Sequence, residues 1–274
     1  MKPFKTWILA TALIAPVNFR PAIGAEEAAN PSVQVSKADG PRTPRDQAAY
    51  RQCVFPVEAK EGQEQLKYRW LTPPNQKPGE RYPLVICLHG RGGSVAASKV
   101  LVRPEMRQMH PAFVMVPEAP RPFIWTRMDI ILKEGVPPPA DGPEKYSILI
   151  SAIRSIIKTE AVDPARVYIT GQSLGGVGTW GAMARNPELF AAAVPVCGAW
   201  RVADATKMAA VPVWAFHGET DPTVPAHWSR DLTAAVKQAG GTARYTEYPG
   251  VGHDCWTKAY EEAEMWQWLF AQKK

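Results

Sequence analysis

The chain is poor in the features that announce a metal, a nucleotide or a nucleic acid. Its four cysteines, at positions 53, 87, 197 and 255 of 274, show none of the paired short spacings that grip structural zinc. No Gly-Lys-Ser/Thr follows the glycine-rich stretch His89-Gly90-Arg91-Gly92-Gly93, and its spacing does not fit a dinucleotide fingerprint. Lysine and arginine do not cluster, so the electrostatic footprint of nucleic-acid binding is missing. No internal repeat is visible. Histidine is scarce, with only five in the chain, which narrows the choice of a general base. No cofactor, metal or nucleic-acid partner is expected.

The one apolar run near the start, Trp7 to Ala15, is too short to span a bilayer comfortably. It follows Lys2 and Lys5 and precedes the small residues Ala22, Gly24 and Ala25, the three-part layout of a secretory leader. The expected organisation is a leader over 1–25, a Pro-, Ala-, Ser- and charge-rich tether over 26–48, and a catalytic domain over 49–274. The protein is expected to be secreted or periplasmic, with no stable membrane span once the leader is cleaved. Of the formal net charge of +6, three positive charges (Lys2, Lys5 and Arg20) lie in the leader. An exported chain permits a disulfide. Cys87 lies inside an apolar strand and reads as an inert core thiol. Cys197 ends a strand and Cys255 lies two residues from His253, so a Cys197–Cys255 bridge is conceivable, with connectivity left open.

What is present in abundance is apolar sequence in short alternating blocks. A hydrophobic fraction of 46% supports a full core and excludes disorder. Two edge strands are expected near 53–55 and 66–71, then strands over 84–88, 112–116, 167–170, 192–196, 211–216 and 243–248. Helices are expected at 146–157, after residue 173, at 225–239 and at 256–271. Strands alternating with helices predict an α/β fold with a mostly parallel central sheet covered on both faces. Residues 120–143 interrupt this rhythm between a strand and its helix. They read either as a wall of the crevice that forms outside the carboxyl ends of such strands or as a surface loop packing its own aromatics.

Gly171-Gln172-Ser173-Leu174-Gly175 follows the apolar strand Val167-Tyr168-Ile169-Thr170 and opens a helix. A serine at so sharp a strand-to-helix turn needs neighbours without side chains two positions either side, and its hydroxyl is then presented at the sheet's edge. Ser173 is the candidate nucleophile. It needs a base within hydrogen-bond reach, and His253 alone lies in a glycine-bearing loop after the last strand. His89 ends a buried strand, His110 precedes Pro111 in a surface loop, His217 orients the acid loop, and His227 opens a helix. Asp221 in His217-Gly218-Glu219-Thr220-Asp221-Pro222 is the expected orienter of the imidazole, with Glu219 as runner-up and Asp204 third. Asp254 is read as the N-cap of the last helix. Two amides are expected to hold the oxyanion, those of Leu174 and Arg91. Trp125, Gln172, Trp200 and Trp256 are assigned to the substrate cleft. The order serine, acid, histidine is that of the α/β-hydrolase fold.

Four stretches carry a wider resemblance: His89–Gly93, Asp163–Gly176, His217–Asp221 and Gly252-His253-Asp254-Cys255-Trp256. From about Tyr68 to Phe270 the chain resembles secreted bacterial α/β-hydrolases. These include polyhydroxybutyrate-depolymerase-like and feruloyl-esterase-like proteins, phospholipase/carboxylesterase-type enzymes, and the catalytic domains of prolyl oligopeptidases. The resemblance implies a Ser-His-Asp carboxylic-ester hydrolase acting on a small or carbohydrate-linked ester through an acyl-enzyme. The chain lacks a polymer-binding module and a propeller, so neither a dedicated depolymerase nor an oligopeptidase is the first expectation. The alternatives are a serine peptidase or amidase of the prolyl-oligopeptidase-like type, and a silent binding protein on the same fold.

Overall fold

A computed structural model describes residues 49–56, 65–119, 125 and 144–274. The expected leader and tether, and residues 120–143 apart from Trp125, lie outside the described residues. Eight strands form one sheet: β1 Arg51–Pro56, β2 Gln65–Leu71, β3 Tyr82–Leu88, β4 Phe113–Pro117, β5 Val162–Gln172, β6 Ala192–Val196, β7 Val213–Gly218 and β8 Ala243–Tyr248. Their spatial order is β1-β2-β4-β3-β5-β6-β7-β8. β2 runs antiparallel to both β1 and β4, and every pairing from β4 onward is parallel.

Burial on both faces explains the unbroken apolar runs. Every residue of β3, β4, β6 and β7 is buried. Along β3, Leu84, Ile86 and Leu88 join the core on one face, while Val85 and Cys87 join the other, as the two-residue period of a strand requires. The first face is covered by α3 Glu144–Thr159, α4 Leu174–Arg185 and α6 His227–Gln238. The second is covered by α1 Ala96–Leu101 and by α7 Trp256–Ala259 and α8 Ala263–Ala271 near the C-terminus. Among the described residues, no helix is long and apolar enough to cross a membrane.

Three elements differ from the sequence reading. β2 is not an edge strand: it is paired on both sides, and only β1 is free at that end. The expected closing helix over 256–271 is two helices. Tyr260 turns inward so that its hydroxyl meets Thr170 Oγ1 at 2.9 Å, and its carbonyl accepts the indole N–H of Trp266 at 2.8 Å instead of continuing the helical ladder. Short helices α1, α2 Pro104–Met109 and α5 Ala205–Met208 were not expected. At four to six residues they are too brief to develop a full amphipathic period.

Candidate active site

β5 ends at Gln172 beside Val196 of β6, and β7 ends at Gly218 beside Tyr248 of β8. The loops that leave β5, β7 and β8 therefore emerge at one edge of the sheet. They carry Ser173, Asp221 and His253.

Ser173 stands between β5 and α4 at φ 55°, ψ −119°. A non-glycine residue at positive φ is strained and persists only when its surroundings hold it. Its N–H is held by the Val196 carbonyl at 3.0 Å and by Cys197 Sγ at 3.3 Å. The flanking glycines are compulsory. A Cβ on Gly171 would lie 2.4 Å from the Gly175 carbonyl oxygen, and one on Gly175 would lie 2.2 Å from that of Leu88.

Ser173 Oγ lies 2.8 Å from His253 Nε2, and His253 Nδ1 lies 2.7 Å from Asp221 Oδ2. Because a carboxylate only accepts, Nδ1 carries the imidazole proton and Nε2 is free to accept from the serine. The other oxygen, Oδ1, accepts the backbone N–H groups of Thr223 at 2.8 Å and Val224 at 2.9 Å. Glu219 is turned elsewhere and accepts the N–H of Gly250 at 2.8 Å. Asp204 binds the Trp200 indole, Arg201 and Lys207. Trp256 stands edge-on to the His253 ring, centroids 5.3 Å apart.

Leu174 is the first residue of α4, where a helix leaves its amides without intrahelical acceptors. The His89–Gly93 loop approaches the serine through Gly90, at which a Cβ would sit 3.5 Å from Ser173 Cβ. The His89 ring ties this loop down. Its Nδ1–H donates to the Gly90 carbonyl at 2.7 Å, and its Nε2 accepts the Ala119 N–H at 3.0 Å. Burial pushes the His89 pKa below the ordinary imidazole value, in keeping with a ring that must accept at Nε2.

The expected cleft residues divide. Trp256 is half-buried at the triad. Trp125 is buried and braces the loop from behind, its indole N–H donating to the His89 carbonyl at 2.8 Å. Gln172 is also a brace, its Oε1 accepting the Ala96 N–H at 2.8 Å. Trp200 is only 1% exposed. It is corrected from cleft wall to core, since Gly181 and the Arg185 guanidinium pack against its ring. Asp254 is corrected too: Cys255 occupies the N-cap of α7, with no side-chain cap. His110 is no loose loop residue, for it stacks on Phe270 with ring centroids 4.4 Å apart.

All four cysteines are free, so the conceivable Cys197–Cys255 bridge is not formed in this structure. Cys197 Sγ, Asp221 and His253 place potential ligand atoms within 4.8 Å of one another. They do not suit a resident metal. Both His253 nitrogens are engaged in the chain to Ser173 and Asp221, and burial drives the Cys197 thiol well above its ordinary pKa. Sequence reasoning missed the role of Cys197 behind the elbow and missed Ser229 altogether. The signal for Ser229 is a hydroxyl on the buried face of amphipathic α6.

Comparison with known proteins agrees with the fold. A crystal structure of a thermostable esterase superposes with a TM-score of 0.74 at 32% identity, covering 84% of this chain and 64% of that one. The fold is that of the α/β-hydrolases. Within this fold, the model of the dienelactone hydrolase family matches residues 143–265, a span that holds all three candidate residues. A probable carboxylesterase SOBER1-like protein of Arabidopsis thaliana is 27% identical over 143 residues, 48% of this chain and 55% of its own. Esterase LipQ of Mycobacterium tuberculosis is 39% identical over 69 residues, 25% of this chain and 15% of its own. This α/β-hydrolase chain thus spans about half the length of the plant relative and a smaller share of the mycobacterial one.

Proposed function

We propose that the protein is a serine esterase that hydrolyses small or carbohydrate-linked carboxylic esters through an acyl-enzyme. The observation that carries the reading is the unbroken chain Ser173 Oγ, His253, Asp221, with contacts of 2.8 and 2.7 Å. His253 Nε2 takes the hydroxyl proton as Ser173 Oγ attacks the ester carbonyl, and Asp221 stabilises the imidazolium that forms. The N–H groups of Leu174 and Arg91 receive the negative charge that develops on the carbonyl oxygen. The tetrahedral intermediate collapses, the C–O bond to the alcohol breaks, and the imidazolium protonates the departing alkoxide. Water then attacks the acyl-serine, with His253 again as base, and releases the acid. The named esterases among the similar proteins support an ester in preference to an amide. In this reading the chain is exported, its leader removed.

The test is a panel of p-nitrophenyl esters of rising acyl length, methyl ferulate and matched anilides, run beside fluorophosphonate labelling. Ester turnover that is lost on labelling is expected. Turnover of the anilides above that of the esters would move the reading to an amidase, and absence of any turnover or labelling would leave a binding protein.

A further inference from the structure

Behind the triad lies a second imidazole that the mechanism does not use. We infer that His217 and Ser229 act as a positioning pair for Asp221, in which the His217 Nε2–H, directed at the acid loop, sets how strongly the Asp221 carboxylate holds the imidazolium of His253. This deepens the triad reading and rests on it.

His217 is fully buried on β7. Its Nε2 lies 2.8 Å from the Val224 carbonyl and 3.3 Å from Asp221 Oδ2. Neither of those oxygens has a proton to offer, so Nε2 carries the hydrogen; it donates to the Val224 carbonyl, with the Asp221 carboxylate near enough to feel the N–H dipole. Nδ1 lies 2.7 Å from Ser229 Oγ. In a neutral ring protonated at Nε2, Nδ1 accepts, and the serine hydroxyl donates to it. Ser229 thereby fixes the tautomer of His217 as Asp221 fixes that of His253. The hydroxyl has a single proton, and with it directed at Nδ1 the oxygen only packs against the Gly198 carbonyl, 3.0 Å away. Gly198 packs against Gly176 in the first turn of α4, where a Cβ would come within 2.5 Å of backbone. Packing contacts thus run from the acid loop through His217, Ser229 and Gly198 to the helix that begins at the nucleophile.

The charge balance around His217 is closed. Asp221 and His253 face it from the two loops. Glu247, its register partner on β8, is bound by Arg230 and by Tyr245. Cys197, at the end of β6, is a buried thiol whose pKa is pushed up. Burial also holds the His217 pKa below the ordinary imidazole range, in keeping with a neutral ring whose N–H lies beside Asp221. A neutral donor suits the site: a second cation here would compete with the His253 imidazolium for one carboxylate.

Removing the Nε2–H leaves the Asp221 charge less dispersed. The carboxylate then binds the His253 proton more tightly, and the acid limb of kcat/KM moves to higher pH. The test compares His217→Gln, His217→Asn and His217→Phe with the unmodified protein and with Ser173→Ala, measuring thermal unfolding, kcat, KM and the pH profile of ester hydrolysis. A glutamine amide reaches the Nε2 position, whereas the shorter asparagine amide stops at the place of Nδ1. Asn and Phe are expected to lose roughly 10- to 100-fold in kcat, because the acid loop that places Asp221 loses its anchor at the Val224 carbonyl. KM should stay near its original value, and the acid limb should move up. Gln should recover most of both changes. If Phe does not fold, the Gln–Asn contrast still decides. Equal pH profiles for Gln and Asn, or a loss confined to KM, would overturn the role of His217. Retained turnover in Ser173→Ala would instead overturn the triad reading itself.

Discussion

Two buried polar regions of the molecule are built on opposite terms. Around Asp221 the carboxylate accepts three N–H groups, two from backbone and one from the His253 imidazole, and the His217 Nε2 lies 3.3 Å away. Along the outer half of α4, the Arg185 guanidinium lies between the rings of Tyr146 and Trp200, 5.3 and 5.0 Å from their centroids. There Arg185 Nη1 and Nη2 and the Tyr146 hydroxyl are buried with no hydrogen-bond partner among the described residues. The first region spends its polar atoms on fixing one geometry. The second balances a cation against aromatic faces, its donors meeting no acceptor among the described residues. Removal of a group should therefore be severe in the first region and mild in the second.

The largest effect is expected at the nucleophile. Ser173→Ala should lower kcat for esters by on the order of 10⁴ to 10⁶ while leaving the unfolding temperature near that of the parent. Next comes the acid. Asp221→Asn should cost about 10⁴ in kcat because the amide holds the imidazole in the wrong tautomer, whereas Glu219→Gln should change ester kinetics little. If Glu219→Gln proves the more damaging, Asp221 is not the working carboxylate and the contrast between the regions loses its basis.

A smaller effect concerns pH and stability. Burial lowers the pKa of His89, His110 and His217 in the folded protein. The unfolded chain binds these protons near the ordinary imidazole value of about 6.5. Stability from these groups is therefore fully present above that value, and it is lost as the pH falls toward the folded pKa values. Denaturant midpoints measured from pH 8 to pH 5 should decline, and His110→Gln, remote from the site, should lessen the decline. The smallest effect is expected at Arg185→Met. Replacing a guanidinium whose buried donors meet no acceptor among the described residues with an apolar chain of similar length should shift stability by less than about 1 kcal/mol, or raise it. A large loss there would show that the cation between the rings does more than fill space.

Legibility in the sequence follows the same division. The strand order could not be read, but the run Val167–Thr170 and the glycines at 171 and 175 announced the elbow, because a Cβ at either glycine collides with backbone. That Ser173, Asp221 and His253 meet was legible because their order along the chain is that of the α/β-hydrolase fold. Glu219 and Asp221 are two residues apart in one loop, and the sequence does not show that the Thr223 and Val224 amides turn Asp221 toward His253 while Glu219 accepts the Gly250 N–H. The cleft was read poorly. A tryptophan's identity does not say whether its ring lines a surface or fills the core, and Trp200 fills the core because Gly181 gives it room. The split of the closing helix was hidden because Tyr260 leaves its helical course for Thr170, a residue 90 positions away.

The most direct measurement is mass spectrometry of acid-quenched turnover with p-nitrophenyl acetate, followed by peptide mapping. One acetyl group on Ser173 during steady-state turnover, accumulating in a burst equal to the enzyme concentration and absent from Ser173→Ala, is the expected result. Undiminished turnover in Ser173→Ala, or an acetyl group on another residue that forms and decays at the rate of turnover, would contradict the acyl-serine mechanism.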